Sequence, residues 1–79
     1  MQAAFEECSV RREPVESTSV MSMGYDPRSA TLEVEFANGG VYRYFAVPRA
    51  TYERLRAADS IGRFVNFVIK PHHRFVRMS

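Results

Sequence analysis

The chain has no tryptophan, a single cysteine, a single lysine and only two histidines among its 79 residues. One thiol excludes an intrachain disulfide framework and suits a reducing compartment, so the cytoplasm is the expected location. No window approaches the roughly 18 consecutive apolar residues of a membrane span, and no basic segment followed by an apolar run opens the chain, so neither a membrane nor export is expected. The histidines, His72 and His73, are adjacent, with no Cys or carboxylate at ligand spacing, which leaves no metal site. Glycine-rich phosphate loops are absent too: Asn38-Gly39-Gly40 precedes a strand-like run and no lysine follows it. No cofactor is therefore expected, and with Cys8 remote from any base the chain lacks the elements of nucleophilic catalysis.

What is present is the composition of one small folded domain. Hydrophobic residues make up 46% and charged residues 25%, with six Phe and four Tyr, well away from the aromatic-poor profile of disorder. A domain this short buries only about 60% of its unfolded surface, so its core is thin and association with a partner or a second copy is one way to cover the remainder. Charge is uneven. The net value is only +2, yet eight of the eleven basic groups, against two acids, follow residue 36. All but Lys70 are arginines, whose planar fork grips phosphate and stacks on bases. The same bias also arises from genomic base composition, and charges on helices commonly form a solvated face.

Patterning predicts an α+β fold: a three-stranded antiparallel β-meander followed by two short α-helices packed on one face of the sheet. Residues 1–14 show no period, end at Pro14, and read as a flexible arm, with Phe5 and Val10 able to dock on the body. Residues 15–25 (VESTSVMSMGY) read as the first strand, with Met21, Met23 and Tyr25 alternating with Ser22 and Gly24. Asp26-Pro27-Arg28-Ser29 is turn chemistry. In TLEVEF, Leu32, Val34 and Phe36 face one way and Thr31, Glu33 and Glu35 the other, towards water.

Loop parity then sets the third strand. A two-residue loop would place Arg43 opposite Val34, a cation on the apolar face. A three-residue loop with glycine in the left-handed position instead puts Tyr42 and Tyr44 with Val34 and Phe36, and Arg43 with Glu33 and Glu35. The odd loop predicts a largely buried Tyr44. Where that face stays uncovered, the tyrosine rings offer a stacking surface for bases.

Pro48 starts a helix carrying Tyr52, Leu55 and Ala58 at helical spacing, ending near Asp59. Ser60 caps a second, with an apolar stripe of Ile61, Phe64, Val65, Val68 and Ile69, stopped by Pro71. Gly62 in its first turn reads as easing the bend between the helices, in preference to the alternative of letting a backbone or ligand come close. Residues 71–79 form a basic tail in which Phe75 and Val76 are anchors.

The order Gly24-Tyr25-Asp26, LEVEF, Asn38-Gly39, Tyr42-Arg43-Tyr44-Phe45, Val47-Pro48, Tyr52, Leu55, Ala58, Ser60, Gly62 and Asn66 resembles the KTSC domain over residues 15–70, and Tyr42 and Tyr44 match that family's central Tyr-x-Tyr motif. Val65 and Phe67 depart from the family's usual pattern around Asn66. The family is named from its occurrence at the C-terminus of some lysyl-tRNA synthetases and also exists as small stand-alone bacterial proteins. The resemblance implies this fold and, through the synthetase, an RNA partner of tRNA type; it implies no catalytic residues. Two functional expectations follow. One is an RNA-binding accessory module in which Arg49, Arg56, Arg63, Lys70 and Arg74 contact phosphates while Tyr42, Arg43 and Tyr44 approach bases or sugars. The other is a protein-interaction or self-association module using Met21, Met23, Phe67, Val68 and Phe75.

Overall fold

A computed structural model describes residues 12–78. Its sheet has five antiparallel strands in chain order: β1 Glu13–Pro14, β2 Val20–Asp26, β3 Thr31–Phe36, β4 Val41–Tyr44 and β5 Phe75–Arg77. Helix α1 spans Arg49–Arg56 and α2 spans Ile61–Phe64, running on into a π-helical turn, Val65–Ile69. The expected α+β class and central meander stand, but three strands become five. Of the segment read as an arm, residues 1–11, with Phe5, Cys8 and Val10, lie outside the described residues, while Glu13 and Pro14 pair with Met23 and Ser22. Residues 75–77 of the presumed tail pair with β4. Both added strands lie at sheet edges, where Pro14, lacking an N–H, is tolerated.

The β3–β4 hairpin follows from its turn. The Gly39 N–H donates to the Phe36 carbonyl at 2.9 Å and the Phe36 N–H to the Gly40 carbonyl at 2.8 Å, so three residues, 37–39, form the loop. Gly39 takes φ +96°, where a side chain would be strained. The odd count pairs Val34 with Tyr42, Leu32 with Tyr44 and Glu33 with Arg43, as loop parity requires. At the β2–β3 turn the Asp26 carboxylate accepts from the Arg28 N–H and the Ser29 hydroxyl, at 2.9 and 3.1 Å.

Strand β2, expected from the sequence to be the first, deviates. A bulge between Val20 and Ser22 shifts the alternation, so that Val20 and Met23 are buried while Met21 is 54% exposed. The core then joins one sheet face to both helices: Val20, Met23, Leu32, Val34 and Tyr44 meet Val47, Leu55, Val65 and Ile69. Tyr25 stacks on Tyr52 with ring centroids 4.7 Å apart, and its hydroxyl donates to the Val47 carbonyl at 2.6 Å, tying α1 to β2.

Pro48 takes the N-cap position of α1, and Ser60 caps α2, its hydroxyl accepting from the Arg63 N–H at 3.3 Å. The Lys70 N–H bonds the Val65 carbonyl at 2.8 Å, the i→i+5 pattern of a π turn. The wider turn keeps Val65 and Ile69 in the core, leaves Val68 half-buried and turns Phe67 outwards.

Gly62 serves a close approach rather than only a bend. An added Cβ would lie 2.9 Å from the Ser19 Cβ. Overpacking costs about 1–3 kcal/mol, against which removing a helical glycine returns at most about 1 kcal/mol. Gly62→Ala is therefore expected to lower the urea midpoint. A midpoint equal to or above that of the parent protein would mean that the segment around Ser19 yields freely.

The opposite sheet face is less wet than its pattern suggests. Glu33 is only 7% exposed: one carboxylate oxygen accepts from Arg43 Nε at 2.9 Å, and the other pairs with Arg12 Nη1. The arginine stems shield the carboxylate that their charges neutralise.

Candidate functional site

The helices do not cover the whole inner face. At the end nearest the β3–β4 turn, the face opens into a pocket of about 490 Å³ lined by Phe36, Tyr42, Tyr44 and Phe75, with Ser19, Ala37, Asn38 and Lys70 at its margins. Strand alternation supplies the rings. Phe36 ends β3, Tyr42 and Tyr44 point the same way from β4, and Phe75 lies opposite Tyr44 on β5.

Tyr44 is the floor. It is 1% exposed, and burial, followed by the neighbouring Tyr42, pushes its phenol up to about 12. Tyr42 stacks beside it at 6.4 Å between centroids and 22° between planes. Phe75 tilts against both, at 5.7 and 5.8 Å, and Phe36 meets Tyr42 edge-on at 5.6 Å. These offset and edge-to-face contacts are the favoured aromatic geometries. Phe75 remains 55% exposed, so an aromatic wall faces outwards.

Two cations lie over this cluster. Lys70 Nζ is 5.1 Å from the centroid of Phe36 and the Arg77 guanidinium 5.7 Å from that of Tyr42, within cation–π range. Lys70 is placed by the end of the π turn, Arg77 by its pairing with Tyr42 across β4 and β5. Among the described residues, no carboxylate, thiol or imidazole lines the pocket. What it offers is ring surface, donors and positive charge.

Of the residues expected to form a site, the fold brings Tyr42, Tyr44 and Lys70 into one pocket. It separates Arg43, which alternation sends to the other face to pair with Glu33. Arg49 is on α1, 3.9 Å from Glu53; Arg56, also on α1, lies over Tyr52 beside a polar hollow that includes Glu13 and Glu16. Arg63 is exposed on α2, and Arg74 is exposed where the chain enters β5.

Phe36, Phe75, Asn38 and Ser19, which line the pocket, and Arg77, which lies over Tyr42, are residues that sequence reasoning did not assign to the site. Phe36 reads as core and Asn38 as turn chemistry, and a three-residue edge strand carries no period to announce Phe75 or Arg77. The apolar residues expected at an interaction surface are also dispersed. Met21 and Phe67 are exposed on different elements, Met23 is buried and Phe75 belongs to the pocket. His73 Nδ1 bonds the Phe45 carbonyl at 3.1 Å, and among the described residues no group of three or more His, Cys, Asp or Glu side chains could hold a metal ion. Nor is any helix among them long and apolar enough to cross a membrane.

Comparison with known proteins gives a consistent result. A family model described as the KTSC domain matches residues 16–75. An uncharacterized protein of Stutzerimonas stutzeri (strain A1501) is 47% identical over 70 residues, covering 87% of this chain and 99% of that one. A lysine–tRNA ligase of Nostoc punctiforme is 36% identical over 64 residues, which span 81% of this chain but 11% of the ligase. Among solved structures, the crystal structure of a KTSC domain protein from Yersinia pestis superposes with a TM-score of 0.85 at 35% identity, covering 90% of this chain and all of that one.

Proposed function

Because the chain belongs to the KTSC domain family and resembles both a small uncharacterized protein and a short part of a lysine–tRNA ligase, we propose that it is a non-catalytic RNA-binding module that uses its aromatic pocket. The observation that carries this reading is the meeting of four aromatic rings with Lys70 and Arg77 at one open site. Aromatic platforms beside cations are how sequence-tolerant single-strand binders hold bases and backbone together. A pocket of about 490 Å³ lies within the usual range for small-ligand sites, about 300–1,000 Å³. The ligase similarity supports an RNA of tRNA type as the ligand.

In this reading Tyr42 and Phe75 present ring surface, Tyr44 supports them from below, and Lys70 attracts phosphate. Arg49, Arg56 and Arg63 on the helices and Arg74 at the entry to β5 add electrostatic contacts outside the pocket, and Arg43 acts through the sheet by holding Glu33.

The test is a titration of a tRNA pool at several salt concentrations. Binding is expected to weaken as salt rises, with a log–log slope near −0.7 for each phosphate contact to a single strand. Tyr42→Ala and Phe75→Ala should each weaken binding by about 1–3 kcal/mol, the worth of one stacked base. Absence of binding at low salt overturns the reading, as does binding that is indifferent to salt.

A further inference from the structure

Hydrogen-bonding groups on the pocket rim bear on which base it would hold. Asn38 lies in the hairpin loop at the pocket margin, where its Oδ1 accepts the Gly40 N–H at 2.9 Å. That bond decides the orientation of the carboxamide. The oxygen is committed to the backbone donor, leaving the Nδ2 amino group as the hydrogen-bonding end, and an amino group only donates. Lys70, the other nitrogen-bearing side chain among the described lining residues, is an ammonium and also only donates, as does the Arg77 guanidinium over Tyr42. The hydroxyls of Ser19, Tyr42 and Tyr44 serve either role and add no bias.

Unpaired RNA bases differ at one position in just this respect. Guanine and uracil carry a keto oxygen, an acceptor, where adenine and cytosine carry an amino group, a donor. A keto oxygen directed at Asn38 Nδ2 or Lys70 Nζ gains a hydrogen bond. An amino group there meets another donor and gains no such bond.

Resting on the RNA reading, we propose that the pocket accepts a single unstacked base and selects keto bases, guanine and uracil, over amino bases, with Asn38 as the specificity-determining residue. The base lies against Phe75 and Tyr42, its keto edge faces Asn38, and its phosphate is left on the Lys70 side. Paired bases are excluded, since in a duplex this edge is already hydrogen-bonded and an A-form groove does not admit the pocket wall.

The experiment titrates the ¹⁵N-labelled protein with the four nucleoside 5′-monophosphates at low salt, following the side-chain amide of Asn38. GMP is expected to bind about three- to tenfold more tightly than AMP, and UMP than CMP by a similar factor, the range of one hydrogen bond. The Asn38 Nδ2 resonances should move with GMP and UMP. Asn38→Asp retains an oxygen for the Gly40 N–H and replaces the donor with an acceptor, so it should abolish or reverse the preference in a pair of uncharged nucleosides, guanosine and adenosine. Equal affinities for all four monophosphates in the parent protein overturn the inference whether or not the variant folds. Binding of tRNA without measurable binding of any monophosphate overturns it too and leaves the RNA reading standing. Failure of tRNA itself to bind removes that reading.

Discussion

Tyr44→Ala is expected to lower stability by about 3–5 kcal/mol, the usual cost of removing a large buried aromatic ring, and to leave much of the protein unfolded at room temperature. Tyr44 is 1% exposed and touches the rings of Tyr42 and Phe75. Its loss opens the core beneath the pocket and removes the residue on which β5 packs. Small domains lie near the lower end of a range of about 5–15 kcal/mol, so one such cavity consumes most of the margin. Urea unfolding followed by circular dichroism checks this, and a loss below about 1 kcal/mol would mean that Tyr44 is not the floor.

Tyr44→Phe separates the ring from its hydroxyl. Burial raises the Tyr44 phenol to about 12, against an ordinary value of 10.0. Because the folded value lies above the unfolded one, the stabilisation linked to this neutral phenol is complete below about pH 10 and disappears as pH rises through about 12. The Phe variant should therefore show a shallower alkaline decline. Some decline should persist, since burial also raises Tyr25 and Tyr52. A variant that follows the parent curve throughout would contradict this assignment.

Glu33→Ala is the second change of large expected effect, at about 2–3 kcal/mol. Removing one partner of a fully buried ion pair costs about 3–5 kcal/mol because the remaining charge is stranded. Here the Arg12 and Arg43 side chains keep 31% and 23% exposure, so water recovers part of that cost. Arg49–Glu53 is the internal contrast. Its charges are 3.9 Å apart on an exposed helix face, and breaking the pair by Glu53→Ala should cost no more than about 0.5 kcal/mol. If denaturant midpoints fall equally for Glu33→Ala and Glu53→Ala, the carboxylate beneath Arg12 and Arg43 is solvated and the shielding argument fails.

These two residues illustrate how far one-dimensional reasoning reaches. Alternation in TLEVEF assigned Glu33 to the face opposite Leu32 and Val34, and the parity of a three-residue glycine loop then put Tyr44 with Val34 and aligned Glu33 with Arg43. Both inferences use a period of two and a single turn, so a few adjacent residues suffice. Burial of Glu33 was not legible, because Arg12 reaches it from 21 positions earlier in the chain, in a segment without a period. The β2 bulge was hidden for a different reason: one unpaired residue reverses the phase beyond it, and VMSM fits either phase.

The candidate site divides along the same line. Tyr42 and Tyr44 could be read as a pair on one face, and the basic character of the second half of the chain could be counted. The pocket could not, since its margin draws on Ser19, the hairpin turn, the end of a π turn and an edge strand of three residues. Of those four pieces only the hairpin turn has a distinctive local pattern, and that pattern announces a turn rather than a pocket rim.

Short-range chemistry was thus enough for the α+β class, the hairpin register, the Pro48 and Ser60 helix starts and the inward direction of two tyrosines, because backbone sterics and side-chain alternation act within a few residues. Packing of distant segments supplied the rest: β1 and β5, the Arg12–Glu33–Arg43 cluster, and the convergence of Phe36, Phe75, Asn38 and Lys70 around those tyrosines. Such convergence depends on which surfaces remain uncovered once two short helices have settled on a five-stranded sheet, and no stretch of neighbouring residues encodes that balance of areas.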